Sequence, residues 1–247
     1  MEYNYKNYEI MTAKKIDETK IVTISDLNWN KNITRSDIND LIVRINDILP
    51  KYIFILGNVC TFNNLEDDEF NKKLTYFFKL LSCIGKSFIV FGNHDYMLDE
   101  NNKAFYTNID NLLNYYNQAI PYYINNYLTT DDNFNIVGFN KNHLSYNNLE
   151  SARNEILSLV DKIDNVLDKS KFNILITHYE LEHLKLEKKL LETFDLILTG
   201  TNHKTIKKKK FYFKDNDDDE ILSEDKAIIK TGGVCKGEIG FIKIKHL

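Results

Sequence analysis

Two prolines and nine glycines in 247 residues leave this chain without a Gly-, Pro- or Ser-rich linker, and no internal repeat divides it. One domain over residues 1–247, with residues 1–20 as a polar leader, is therefore the expected organisation. Three cysteines, Cys60, Cys83 and Cys235, form an odd set without paired spacing. That excludes a disulfide framework and a zinc-finger pattern and suits reduced thiols. No apolar run approaches the roughly 18 to 20 residues that span a bilayer, so no membrane association is expected. The opening 20 residues also lack the apolar centre of a signal peptide, which places the protein in the cytoplasm. A formal net charge of -4 supplies no overall basic field, so nucleic acid is an unlikely partner.

What the chain does have is apolar residues, 43% of the total, enough for a sizeable core. They fall into short β-rich runs that each end in polar residues. The clearest is Ser87-Phe88-Ile89-Val90-Phe91, which delivers Gly92, Asn93, His94 and Asp95 at its end. Residues 21–25 run into Asp26-Leu27-Asn28-Trp29, and residues 52–56 run into Gly57-Asn58-Val59-Cys60-Thr61. Residues 172–177 end in His178, and residues 196–199 end in Gly200-Thr201-Asn202-His203. Two further strands are predicted over 227–231 and 240–245, and short ones near 122–128 and 134–139.

Between the first strands lie helical patterns. Ser36 can cap a helix whose apolar positions Ile38, Leu41, Ile42, Ile45, Ile48 and Leu49 keep the helical period until Pro50. The acidic run 66–69 suits the start of a second helix, buried through Phe70, Leu74, Phe77, Phe78, Leu81 and Ile84 and closed by Gly85. Later helices are predicted over 109–116 and 149–167. Strands alternating with helices argue for an α/β fold with largely parallel pairing. In such a fold ligands sit beyond the carboxyl ends of the strands. The rim inventory is then Asp26, Asn28, Asn58, Asn93, His94, Asp95, His178 and His203. Imidazole, carboxylate and amide oxygens arriving from different strands are the donor set of a hard-to-borderline divalent ion.

With all five blocks in order, the chain resembles the calcineurin-like metallophosphoesterases, whose pattern is D-x-H, G-D-x-x-D, G-N-H-D/E, a lone His after a strand, and G-H-x-H. The match runs from Ile21 to His203. It implies an α/β sandwich of two mixed β-sheets flanked by helices, and metal-dependent phosphoester hydrolysis as the ancestral activity. It places Asp26 and His203 on ligand positions of one metal, and Asn93 and His178 on those of the other. Asn58 falls on the bridging position. His94 falls on the group that protonates the leaving oxygen or stabilises the phosphoryl transition state, with Asp95 orienting its imidazole.

Three ligand positions depart from the family pattern: Asn28 and Thr201 stand where it has His, and Asn58 where it has the bridging Asp. Two dications ~3.5 to 4 Å apart repel by on the order of 18 kcal/mol at an effective dielectric of ~20. A bridging carboxylate offsets that repulsion and a neutral amide does not. The cofactor expected is therefore one weakly bound divalent ion (Mn, Fe or Zn) on Asp26, Asn93, His178 and His203, or none. Phosphoester turnover is expected to be weak or lost. The alternative is a pseudoenzyme acting as a protein-binding or regulatory module.

The remaining candidates have plainer readings. His143, His183 and His246 lie outside the five blocks, and lone histidines are usually surface or hydrogen-bonded residues. Cys60 has no basic neighbour in sequence and reads as a small buried filler. Trp29 reads as packing over a strand end or as a pocket wall. The lysines 207–210, followed by Phe211-Tyr212-Phe213 and an acidic run, read as a hairpin with a solvated tip.

Overall fold

The structure is a computed structural model that describes residues 3–60, 67–92, 94–95, 122–123, 127–140, 149–179, 186–200, 208–209, 212–214, 220–222, 226–231 and 233–247. Its first sheet holds six strands. They are β1 (Asn4–Thr12), β2 (Thr19–Ile24), β3 (Tyr52–Leu56), β4 (Lys86–Val90), β5 (Tyr122–Tyr123) and, from the far end of the chain, β14 (Glu238–His246). Their order is β1-β14-β2-β3-β4-β5. Strands β2 to β5 run parallel, and β14 is antiparallel to β2 and parallel to β1.

The second sheet takes β6 (Tyr127–Thr130), β7 (Phe134–Phe139), β8 (Phe172–Thr177), β9 (Leu196–Thr199), β10 (Lys208–Lys209) and β13 (Ala227–Lys230). Its order is β10-β13-β9-β8-β7-β6, with β13, β9, β8 and β7 parallel and the two outer strands antiparallel. A separate hairpin pairs β11 (Tyr212–Lys214) with β12 (Glu220–Leu222), as expected for that stretch.

Alternation along each buried strand divides its side chains between two cores. Ile21, Phe54, Leu56, Phe88 and Val90 of the first sheet meet Phe134, Ile136, Ile174, Ile176 and Leu198 of the second. The outward residues Val22, Ile24, Ile53, Ile55 and Ile89 pack under helices α1 (Arg35–Ile48) and α2 (Asp68–Ile84). Val137, Leu175 and Ile197 pack under α3 (Leu149–Asp164) and α4 (Glu187–Thr193). The expected fold, two mixed sheets flanked by helices, is the one observed. Among the described residues no helix is long and apolar enough to cross a membrane.

Three local readings change. The cap of α1 is Thr34 rather than Ser36, because Thr34 and Asp37 satisfy each other's backbone N–H groups in a capping box. The polar opening contains strand β1, whose partner Glu238–His246 lies at the other end of the sequence, so no local pattern announces it. Helix α4, seven residues long, is held by buried Leu190 and Leu191 and is too short to show a period. The helix expected over 109–116 lies outside the described residues.

Candidate functional site

The carboxyl ends of β2, β3 and β4 form one rim because the parallel ladder keeps them in step: Ile24 pairs with Ile55, and Leu56 with Val90. Beyond it the loops bond to one another. The backbone N–H of Asp26 donates to Gly57 O at 3.0 Å, and those of Asn28 and Trp29 donate to Asn58 O and Val59 O, both at 2.9 Å. The route is tight: Asp26, Asn28 and Asn58 all have positive φ (50°, 47° and 55°), as does Gly57 (85°). Asn and Asp tolerate this region better than other side-chain-bearing residues. The second sheet joins from the other side. The Ser25 hydroxyl has two acceptors within reach of its one proton, Asp26 Oδ2 (2.7 Å) and Gly200 O (2.6 Å), while His178 Nδ1 lies 2.7 Å from Leu56 O.

At the centre Asp26 and His178 are 0% exposed and Asn58 and Asp95 2%. The Asn58 amide links two loops. Its Oδ1 accepts the backbone N–H of His94 at 2.9 Å, and its Nδ2 donates to Asp26 Oδ1 at 2.8 Å. This orientation is dictated by chemistry, since a backbone N–H can only donate and a carboxylate only accept. Gly92 packs against the same amide so closely that a Cβ there would lie 2.2 Å from Asn58 Oδ1.

The Asp95 carboxylate ties backbone groups of two loops. Its Oδ2 accepts the backbone N–H groups of Asn58 (2.6 Å) and Gly92 (2.7 Å), and its Oδ1 accepts that of Val59 (2.9 Å). Burial pushes its carboxyl up to about 6, and the backbone donors of Gly92, Asn58, Val59 and Cys60 pull against that shift. The bonds of Asp95 thus hold the Gly57 and Gly92 turns together. His94 itself is exposed. Cys60 is buried, and desolvation followed by the charge of Asp95 pushes its thiol well up, away from nucleophile behaviour. Trp29 packs edge-on to Phe77 with ring centroids 4.6 Å apart and is a core residue.

Of the expected site residues, Asp26, Asn58, His94, Asp95 and His178 come to this rim, whereas Asn93, Thr201 and His203 lie outside the described residues. So do His143 and His183. The bond from His178 Nδ1 to a carbonyl requires a proton on Nδ1. Among the described residues no group of three or more His, Cys, Asp or Glu side chains could hold an ion.

Sequence reasoning missed three contributors. Ser25 precedes Asp26 at the end of an apolar run. Asn140, just past β7, accepts the Phe91 N–H at 2.7 Å. Cys235 lies over Asp26, its N–H donating to Asp26 O at 3.1 Å, with Sγ 3.8 Å from Asn28 Nδ2. Ser25 and Asn140, polar residues at the ends of apolar strands, carry the signal that found the others, and Cys235 does not.

Comparison with known proteins agrees with this fold. The sequence profile of the calcineurin-like phosphoesterases matches residues 19–228, and the chain belongs to that family. Among solved structures, a dimetal phosphatase from Danio rerio superposes with a TM-score of 0.53 at 12% identity, covering 87% of this chain and 88% of its own. Another solved chain gives 0.60 at 11% identity, covering 92% and 95%. At such identities the likeness shows the fold alone. No curated protein matches the sequence.

The residues present do not fit a pair of ions bridged at position 58. A bridging ligand must turn a lone pair toward both cations. Asn58 instead turns an N–H toward Asp26, and its one carbonyl oxygen already accepts from His94. Asn28 adds an amide where the family pattern has an imidazole.

Proposed function

We propose that this protein is a calcineurin-like phosphoesterase family member in which dimetal phosphoester hydrolysis is weak or lost. The reading takes the 247 residues as one domain working in the cytoplasm. The observation that carries it is the Asn58 amide, whose Nδ2 donates to Asp26 Oδ1 in the position from which a bridging carboxylate would hold two ions. Losing that charge removes an attraction comparable in gross size to the repulsion between the ions. The acid of any residual reaction would be His94, at the exposed edge of the rim. A protein-binding or regulatory role is the alternative proposal.

The test compares the wild-type chain with Asn58→Asp and with the triple revertant Asn28→His, Asn58→Asp, Thr201→His, on an aryl phosphodiester in Mn2+. We expect the His94-dependent turnover of the wild type to lie at least about 100-fold below that of the triple revertant, the scale at which single electrostatic contributors to catalysis act. Wild-type turnover that equals the triple revertant's and is abolished by His94→Ala would overturn the proposal.

A further inference from the structure

We infer that the Asn58 side chain is a built-in replacement for the metal as a structural tie, so that the rim holds its shape without any ion. Three loops meet here, following β2, β3 and β4, and each brings a hydrogen-bonding group. Asp26 brings a carboxylate with no exposure, the β4 loop brings the His94 N–H, and the β3 loop brings a side chain that can both donate and accept.

A carboxylate at position 58 could serve only one of these partners. It would accept from His94 and set a second negative charge about 2.8 Å from Asp26 Oδ1, an arrangement that needs a cation or a proton. The amide satisfies both neighbours and carries no charge. Its backbone is tied as well, through the N–H donated to Asp95 Oδ2 and the carbonyl accepting from Asn28 N. Ser25 completes the arrangement by engaging Asp26 Oδ2 at 2.7 Å. Gly92 leaves room for the amide and for nothing larger, since a Cβ would fall 2.8 Å from Asn58 Cγ. Among the described residues each oxygen of Asp26 thus has a donor within reach, so the tie through Asn58 needs no metal.

The inference concerns stability and is tested apart from turnover. Thermal unfolding of the full chain is followed by circular dichroism in EDTA and in excess Mn2+, for the wild type, Asn58→Asp and Asn58→Ala. The wild type is expected to melt at the same temperature in both media, within about 1 °C. Asn58→Asp in EDTA is expected to melt about 5 °C or more below it, and Mn2+ to raise that variant more than the wild type. Asn58→Ala, which removes the tie without adding charge, is expected to melt lower in both media. A wild-type melting temperature that rises by about 5 °C in Mn2+ overturns the inference, and this measurement holds even if neither variant folds. So does an Asn58→Asp chain that melts with the wild type in EDTA. Wild-type turnover equal to the triple revertant's would defeat the proposed function and leave this inference standing.

Discussion

The backbone N–H of Asn58 donates to the carboxylate of Asp95 at 2.6 Å, joining the turn after β3 to the turn after β4 across 37 positions of sequence. A second bond from Val59 and a third from Gly92 make Asp95 the anchor of both turns.

That anchor has a pH signature. Burial raises the carboxyl of Asp95 from 3.8 to about 6 in the folded state. Between those values the folded chain binds more protons than the unfolded one, so its contribution to stability falls as pH rises from about 4 to about 6. The group's stabilising share is complete below its unfolded value, and the swing is on the order of 3 kcal/mol at about 1.4 kcal/mol per unit. Asp95→Asn removes the titration and turns one acceptor into a donor facing backbone N–H groups. Urea unfolding across pH 4 to 7 should then show a flatter slope and a loss of about 1 to 3 kcal/mol at pH 7.

Gly57 tolerates no side chain. At φ 85° an added Cβ would lie 2.5 Å from Gly92 N and 2.7 Å from His178 Nδ1. Gly57→Ala is expected to cost about 3 kcal/mol or more, combining backbone strain with a backbone collision. Equilibrium denaturation measures it, and a loss under about 1 kcal/mol would mean that the rim can spread apart.

The His178 ring should populate a single tautomer. Its Nδ1 lies 2.7 Å from Leu56 O, a bond that demands Nδ1–H and ties the second sheet to the end of β3. Ring nitrogen chemical shifts should report a protonated Nδ1 at neutral pH. His178→Ala should lower stability by about 2 to 4 kcal/mol through the lost bond and the cavity.

Trp29 is the chain's one tryptophan, and its edge contact with Phe77 makes it a reporter for the loop after β2. Phe77→Ala should cost about 3 to 5 kcal/mol and shift the emission of Trp29 to the red as water reaches the indole. Unchanged emission would show the core closing over the gap.

The strand ends were legible without coordinates. Apolar runs of about five residues bounded by Gly or polar clusters are what strands buried on both faces require, and a parallel ladder brings their carboxyl ends to one rim. Asp26, Asn58, the Gly92 turn and His178 could therefore be placed together from their order in the chain. The departures at Asn28, Asn58 and Thr201 were equally plain, being matters of residue identity.

What folding added is direction. No pattern says that the Asn58 amide turns its nitrogen to Asp26 and its oxygen to His94, or that both oxygens of Asp95 accept backbone N–H groups. Those choices depend on distances of about 3 Å between groups more than 30 residues apart, and on which partner can only donate and which can only accept. Strand β1 was hidden for the same reason, its partner being β14 at the opposite end of the chain. The residue types at the rim are a property of the chain, but the hydrogen-bond routing that ties them together arises only when the loops meet.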